Sequence, residues 1–78
     1  MPREPSIEET LRTLLISLRS EAGLRQTDLA ERLGKPQSFV SKYENGERRL
    51  DLSEVYSICE ALNISFVTFA ERLERTWQ

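Results

Sequence analysis

The hexapeptide "QSFVSK", Gln37 to Lys42, holds an amide, two hydroxyls and an ammonium among two apolar residues. At roughly 100° per residue of helix, Gln37, Ser41, Ser38 and Lys42 share one face, spread over roughly 140°. Phe39, Val40 and the following Tyr43 take the opposite side. Amides, hydroxyls and ammonium groups are the donors and acceptors that read base edges. An amide pairs bidentately with adenine, a Lys donates to guanine, and a Ser serves either. A single polar face is by itself only a solvated face, so the elements that hold it must be considered.

"QTDLAERLGKP" precedes that helix and sets its angle. The pattern predicts a helix from Gln26 to Leu33, with Leu29, Ala30 and Leu33 inward and Gly34 as its stop. Two helices joined by so short a turn cross steeply only if their backbones approach closely. Ala30 allows that approach, and Gly34 lets the chain reverse without a Cβ clash. Pro36 disfavours a helical Lys35, yet suits the first helical position of the next helix, which runs to about Glu44. Asn45 and Gly46 close it.

Three more helices complete the expected set. "SIEE" at Ser6–Glu9 is a capping box that opens a helix ending at Gly23, with Leu11, Leu14, Leu15, Leu18 and Ala22 on its apolar stripe. "DLSE" at Asp51–Glu54 opens another, with Leu52, Val55, Ile58, Cys59 and Leu62 inward and Asn63 as a left-handed stop. Ser65 caps the last, whose stripe is Phe66, Phe69, Ala70, Leu73 and Trp77. The β-branched "ISFVTF" run would be a lone strand with no partner, so a helix is expected there too. The domain layout predicted is a tail over residues 1–5 and one all-α domain over 6–78, with residues 26–45 at its centre.

The bulk properties restrict the chemistry. The 78 residues include no His and one Cys, which rules out a Ser-His-Asp or Cys-His device and a zinc site. No enzyme, metal, cofactor or small-molecule substrate is expected. No apolar run reaches the roughly 20 residues of a membrane span, and "MPREPS" lacks a signal-peptide layout. A soluble cytoplasmic protein is the expectation, with Cys59 a small core residue. The net charge of −2 is unevenly placed. Residues 1–24 carry −1 and residues 51–78 carry −3, while residues 25–50 carry +2 from six basic and four acidic groups. The local field, not the total, meets a phosphate backbone. So modest an excess predicts weak non-specific binding.

At this point "GLRQTDLAERLGKPQSFVSKYENGERRLDLSEVYSICEALNIS", Gly23 to Ser65, resembles the phage-repressor and Cro type of helix-turn-helix, the Xre-like family. Gln26, Leu29, Ala30, Leu33, Gly34, Gln37, Val40, Glu44 and Gly46 fall in place together. The resemblance implies a compact five-helix, lambda-repressor-like domain whose second and third helices form the motif. It implies a sequence-specific regulator of transcription, most simply a repressor, that binds double-stranded DNA on a two-fold operator as a homodimer. By the same resemblance, Gln26 contacts phosphate and braces the reading helix, and Gln37, Ser38 and Lys42 read bases. Asn45 and its neighbours meet the backbone, and Arg19 pairs with Glu44. Ser41 joins the reading face by its position, and Arg48 is a candidate phosphate contact. Lys35 stands where a small apolar residue is usual, and Pro36 replaces the usual Ser or Thr cap. The apolar excess at Phe66, Val67, Phe69 and Trp77 is the expected dimer seam. A restriction–modification controller, or a protein-interaction module such as an antitoxin or bridging factor, are the alternatives.

Overall fold

Five helices follow one another in the computed structural model, which describes residues 6–77: α1 (Ile7–Glu21), α2 (Gln26–Leu33), α3 (Gln37–Glu44), α4 (Leu52–Ala61) and α5 (Phe66–Trp77). No strand occurs among the described residues. The expected tail over residues 1–5 lies outside them. None of these helices is long and apolar enough to cross a membrane.

Local chemistry sets most of the boundaries. Ser6 and Glu9 exchange hydrogen bonds across the first turn of α1, and Asp51 and Glu54 do the same for α4. Each box satisfies amides that a helix start leaves without partners. Asp28 plays the same part for α2, accepting from the Arg25 amide at 2.9 Å. The Ser65 hydroxyl accepts from the Thr68 amide at the start of α5. Gly34 ends α2 at φ 65°, a left-handed conformation natural to glycine, and Asn63 adopts φ 59° after α4.

All five helices feed one core. Leu15, Leu29, Val40, Ile58, Cys59 and Phe69 are its most completely enclosed side chains. Ala30, 2% exposed, sits at the close packing of α2 on α3. Four expectations for the apolar stripes fail, and two of them, Ala22 at the end of α1 and Trp77 at the end of α5, are exposed helix-terminal residues. Leu52 is 72% exposed, whereas Leu50, just before the capping box, packs against the core. Ala70 is also exposed. It lies about 100° of helix rotation from Phe69, the one α5 side chain fully inside.

Candidate nucleic-acid interface

The α2–α3 turn holds α3 against the core by one face. Pro36 is not the first helical residue expected from its ring geometry. It is the N-cap, with φ −68° and ψ 154°, and its carbonyl accepts from the Phe39 amide at 2.9 Å. The ring fixes φ near this value in either position, so the choice falls to ψ, which the turn sets. Lys35 and Gly34 donate their amides back to Ala30 and Glu31, closing α2 before the chain extends through Pro36. Gln37 therefore opens the helix.

Val40 and Tyr43 are buried and Phe39 is half-buried, its ring edge-on to Tyr43 at 5.7 Å. On the other side Gln37, Ser38 and Lys42 are exposed and Ser41 is half-buried. Asn45, the C-cap, lies beside them, its Nδ2 donating to Ser41 Oγ at 3.4 Å. The structure brings these five side chains into one polar surface. Among the described residues no carboxylate pairs with Lys42, so its charge stays available.

A chain of side-chain hydrogen bonds runs from the interior to that surface. Arg19 meets Glu44 as a fork, Nε to Oε2 at 2.7 Å and Nη2 to Oε1 at 3.0 Å. Its Nη1 donates to the Leu24 carbonyl at 2.8 Å. The hydrogen bond to Glu44 raises the Arg19 pKa above its ordinary value, despite the opposing effect of burial. Glu44 Oε1 also accepts from Gln26 Nε2 at 2.8 Å, and Gln26 Oε1 accepts from Gln37 Nε2 at 2.7 Å. The contact between the two glutamines has no signature in spacing alone, since eleven residues and a turn separate them.

Arg48 is placed differently. Its guanidinium forms a fork with Glu54 at 2.7 and 3.0 Å and lies 4.8 Å from the Phe39 ring centroid. That hydrogen bonding raises its pKa and lowers that of Glu54. Lys35 Nζ lies 5.5 Å from the same ring. Arg48 thus flanks the polar face of α3 through Phe39 and is engaged by a carboxylate. Glu54 is the capping residue of α4, and nothing local to the sequence marks it as the partner of Arg48. Arg25 is likewise paired with Asp28, and Arg49 with Glu8.

The four seam candidates separate. Val67 is 68% exposed, Trp77 is exposed and Phe66 is half-buried. Phe69, 2% exposed, is a core residue and is removed from the seam. A helix turns only one side to its domain, and Phe69 is the most enclosed side chain on that side, with Phe66 and Leu73 packed against the core beside it. Leu52 and Tyr56 on α4 add exposed apolar surface that the stripe pattern hid. Tyr56 contacts Phe66 at 5.7 Å between ring centroids, joining the two helices into one patch.

A helix-turn-helix family model (HTH_3) matches residues 15–69, which include all of α2, α3 and α4. Among solved structures, an XRE-family-like protein from Pseudomonas syringae pv. tomato strain DC3000 is 43% identical. The likeness covers 92% of this chain and 88% of that one, with a TM-score of 0.85. The wild-type restriction–modification controller protein C.Esp1396I is 26% identical over 94% of this chain and 96% of its own, with a TM-score of 0.86. The same controller as a tetramer on its natural 35 base-pair operator gives 26% identity, the same coverage and a TM-score of 0.85. The search of curated proteins found no match.

Proposed function

This chain belongs to the helix-turn-helix family, XRE type, and from that premise we propose that it is a sequence-specific DNA-binding regulator of transcription. The observation that carries the reading is the exposed polar face of α3, seated by its apolar side and linked to α2 through Gln37 and Gln26. Eight residues of helix span roughly 12 Å, a length that lies within a B-DNA major groove. Gln37, Ser38, Ser41 and Lys42 meet base edges there. Gln26 and Asn45 contact the phosphate backbone and set register, which carries no sequence information by itself. Arg48 reaches a phosphate only by exchanging the carboxylate of Glu54 for it. No catalytic step enters this mechanism, which operates in the cytoplasm without a cofactor.

One copy offers too few reading side chains for a unique genomic address. A homodimer on a two-fold operator doubles the site, with its reading helices spaced about 34 Å apart. Phe66, Val67 and Trp77, extended by Leu52 and Tyr56, form its seam. Repression by occupancy is the simplest outcome. The likeness to a controller that binds its operator as a tetramer favours a restriction–modification controller as the second reading. A neighbouring methyltransferase gene would select it.

Selection of duplexes from a random library by the purified protein tests the function, and an enriched motif with two-fold symmetry is expected. Failure to enrich any sequence refutes it. Sedimentation of the wild type against Tyr56→Ala/Val67→Glu tests the seam. A wild type that stays monomeric on the selected duplex removes the dimer, and a double variant that still dimerises moves the seam elsewhere.

A further inference from the structure

Tyr43 carries a hydroxyl that the fold buries and leaves without a hydrogen-bond partner among the described residues. Such a group forgoes its bonds to water and adds nothing to packing that a phenylalanine would not supply. Tyr43, 2% exposed, also lines a cavity of about 340 Å³ between the first half of α1, the end of α3 and the chain leading to α4. That volume lies at the lower end of the range for small-molecule sites. Leu11, Leu15 and Leu50 give the cavity an apolar wall, and Arg12, Arg48 and Arg49 give it guanidinium groups. These cations differ in their engagement. Arg49 pairs with Glu8 at 2.8 Å, and Arg48 forks on Glu54. Glu9, also in the wall, accepts at Oε1 from the amide and the hydroxyl of Ser6, each at 3.1 Å. Arg12 has no carboxylate partner among the described residues. It is half-buried and packs against the turn after α3, where a Cβ on Gly46 would come within 2.9 Å of Nη1.

We propose that this cavity binds a small organic acid, with its carboxylate on Arg12 and the Tyr43 hydroxyl and its apolar body on Leu11, Leu15 and Leu50. Each part of the ligand answers something the wall holds unused. A guanidinium presents its N–H groups in a planar fork that matches the two oxygens of a carboxylate. A carboxylate accepts at about four lone-pair sites, so Arg12 leaves room for the donor that Tyr43 carries. The ion pairs of Arg48 and Arg49 need not open. A bare inorganic anion would satisfy Arg12 and leave the leucines facing water. A neutral apolar molecule would leave the guanidinium unmet. A dianion would place its second charge near Glu8 and Glu9, which favours a single carboxylate. Tyr43 is on the buried side of α3, away from Gln37, Ser38 and Lys42, so this site is separate from the proposed DNA-reading face. Were the cavity only loose packing around Arg12, no acid would saturate it.

Titration of the protein with benzoate and with 4-methylpentanoate at neutral pH, followed by NMR shifts, tests the site. Saturable shifts centred on Arg12, Gly46 and Leu50 are expected, with a Kd on the order of 1 mM for molecules of this size. Arg12→Met keeps the aliphatic stem and removes the fork. It should weaken binding by about tenfold or more, the loss that accompanies a hydrogen bond to a charged group. Tyr43→Phe should weaken it by about threefold, as for a neutral donor. Benzamide, which has the shape without the charge, should bind about tenfold more weakly than benzoate or worse. Sulfate, which has the charge without the apolar body, should do the same. Absence of saturable shifts from both acids up to about 20 mM overturns the proposal. An affinity unchanged in either folded variant also overturns it, as does benzamide or sulfate binding as tightly as benzoate. Should Arg12→Met fail to fold, Arg12→Lys, which keeps the charge and loses the planar fork, must show the weakening instead.

Discussion

Replacing Glu44 by Ala removes three hydrogen bonds and strands a charge. Arg19 keeps only its bond to the Leu24 carbonyl, and Gln26 loses its inward acceptor. With side-chain exposures of 15% and 4%, solvent replaces the lost carboxylate poorly. Breaking one side of such a pair costs about 3–5 kcal/mol. A chain of this length has a total stability of about 4–12 kcal/mol, at ~0.05–0.15 kcal/mol per residue. Glu44→Ala should therefore remove a large share of the stability and lower the melting temperature by at least about 12 °C, taking ~4–8 °C per kcal/mol. The double variant Arg19→Met/Glu44→Leu should behave differently. Apolar replacement of a whole buried pair is often neutral or stabilising by about 1–4 kcal/mol. Here the Leu24 carbonyl loses its donor, at a cost of about 1–3 kcal/mol, so the net change should be small. Thermal melting by circular dichroism measures both. A loss under about 4 °C in Glu44→Ala would mean that the pair is solvated and contributes little. A double variant as damaged as the single one would place the cost in packing rather than in the stranded guanidinium.

Ala30→Leu should overpack the contact between α2 and α3 and cost about 1–3 kcal/mol, and an unchanged melting midpoint would deny the close approach. Tyr43→Phe should leave stability equal or higher, because the buried Tyr43 hydroxyl has no hydrogen-bond partner among the described residues and removing it leaves no group unpaired. A lower midpoint would show that the hydroxyl is satisfied in solution. Burial raises the Cys59 pKa from 9.0 to about 11. The unfolded thiol ionises first, so this contribution is complete below pH 9 and is lost as the pH rises towards 11. Cys59→Ala should abolish that part of the alkaline slope, and an identical slope in denaturant titrations at pH 8 to 11 would refute it.

How much was legible follows the range of each interaction. The capping boxes at Ser6–Glu9 and Asp51–Glu54 are closed within three residues, and both are read directly from the sequence. Gly34 and Asn63 announce left-handed backbone by their residue type. The face of α3 is legible because one helix decides it. The partial burial of Leu50 and the exposure of Leu52 are not, since the chain between α3 and α4 sets how α4 is rotated on the core. Phe69 carries the same lesson. Periodicity identifies an apolar stripe on α5, but not which member turns inward and which remain for a partner. The charge of Arg48 marks it as a candidate phosphate contact, but its fork with Glu54 depends on how the chain between α3 and α4 is folded.

The pairing of cations bears on how such a small acidic protein could find a site on DNA. Of the basic residues over 25–50, Arg25, Arg48 and Arg49 are bound to carboxylates, and Arg32 donates to the Ala61 carbonyl. With the partners outside the segment counted, Glu54 and Glu8 on two of its arginines and Arg19 on Glu44, the +2 excess of that segment falls to +1. Non-specific affinity comes almost wholly from unpaired cations meeting phosphates, so on the proposed reading this surface should hold arbitrary DNA weakly. Base contacts then contribute a larger share of the total, and an error at Gln37 removes more of it. The hydrogen bonds from Arg19 through Glu44 and Gln26 to Gln37 hold that amide in place without DNA. On the proposed reading Lys42, which pairs with no carboxylate among the described residues, would supply attraction on the face that meets the bases. Weak general binding and a rigid reading face are consistent consequences of one arrangement of charges.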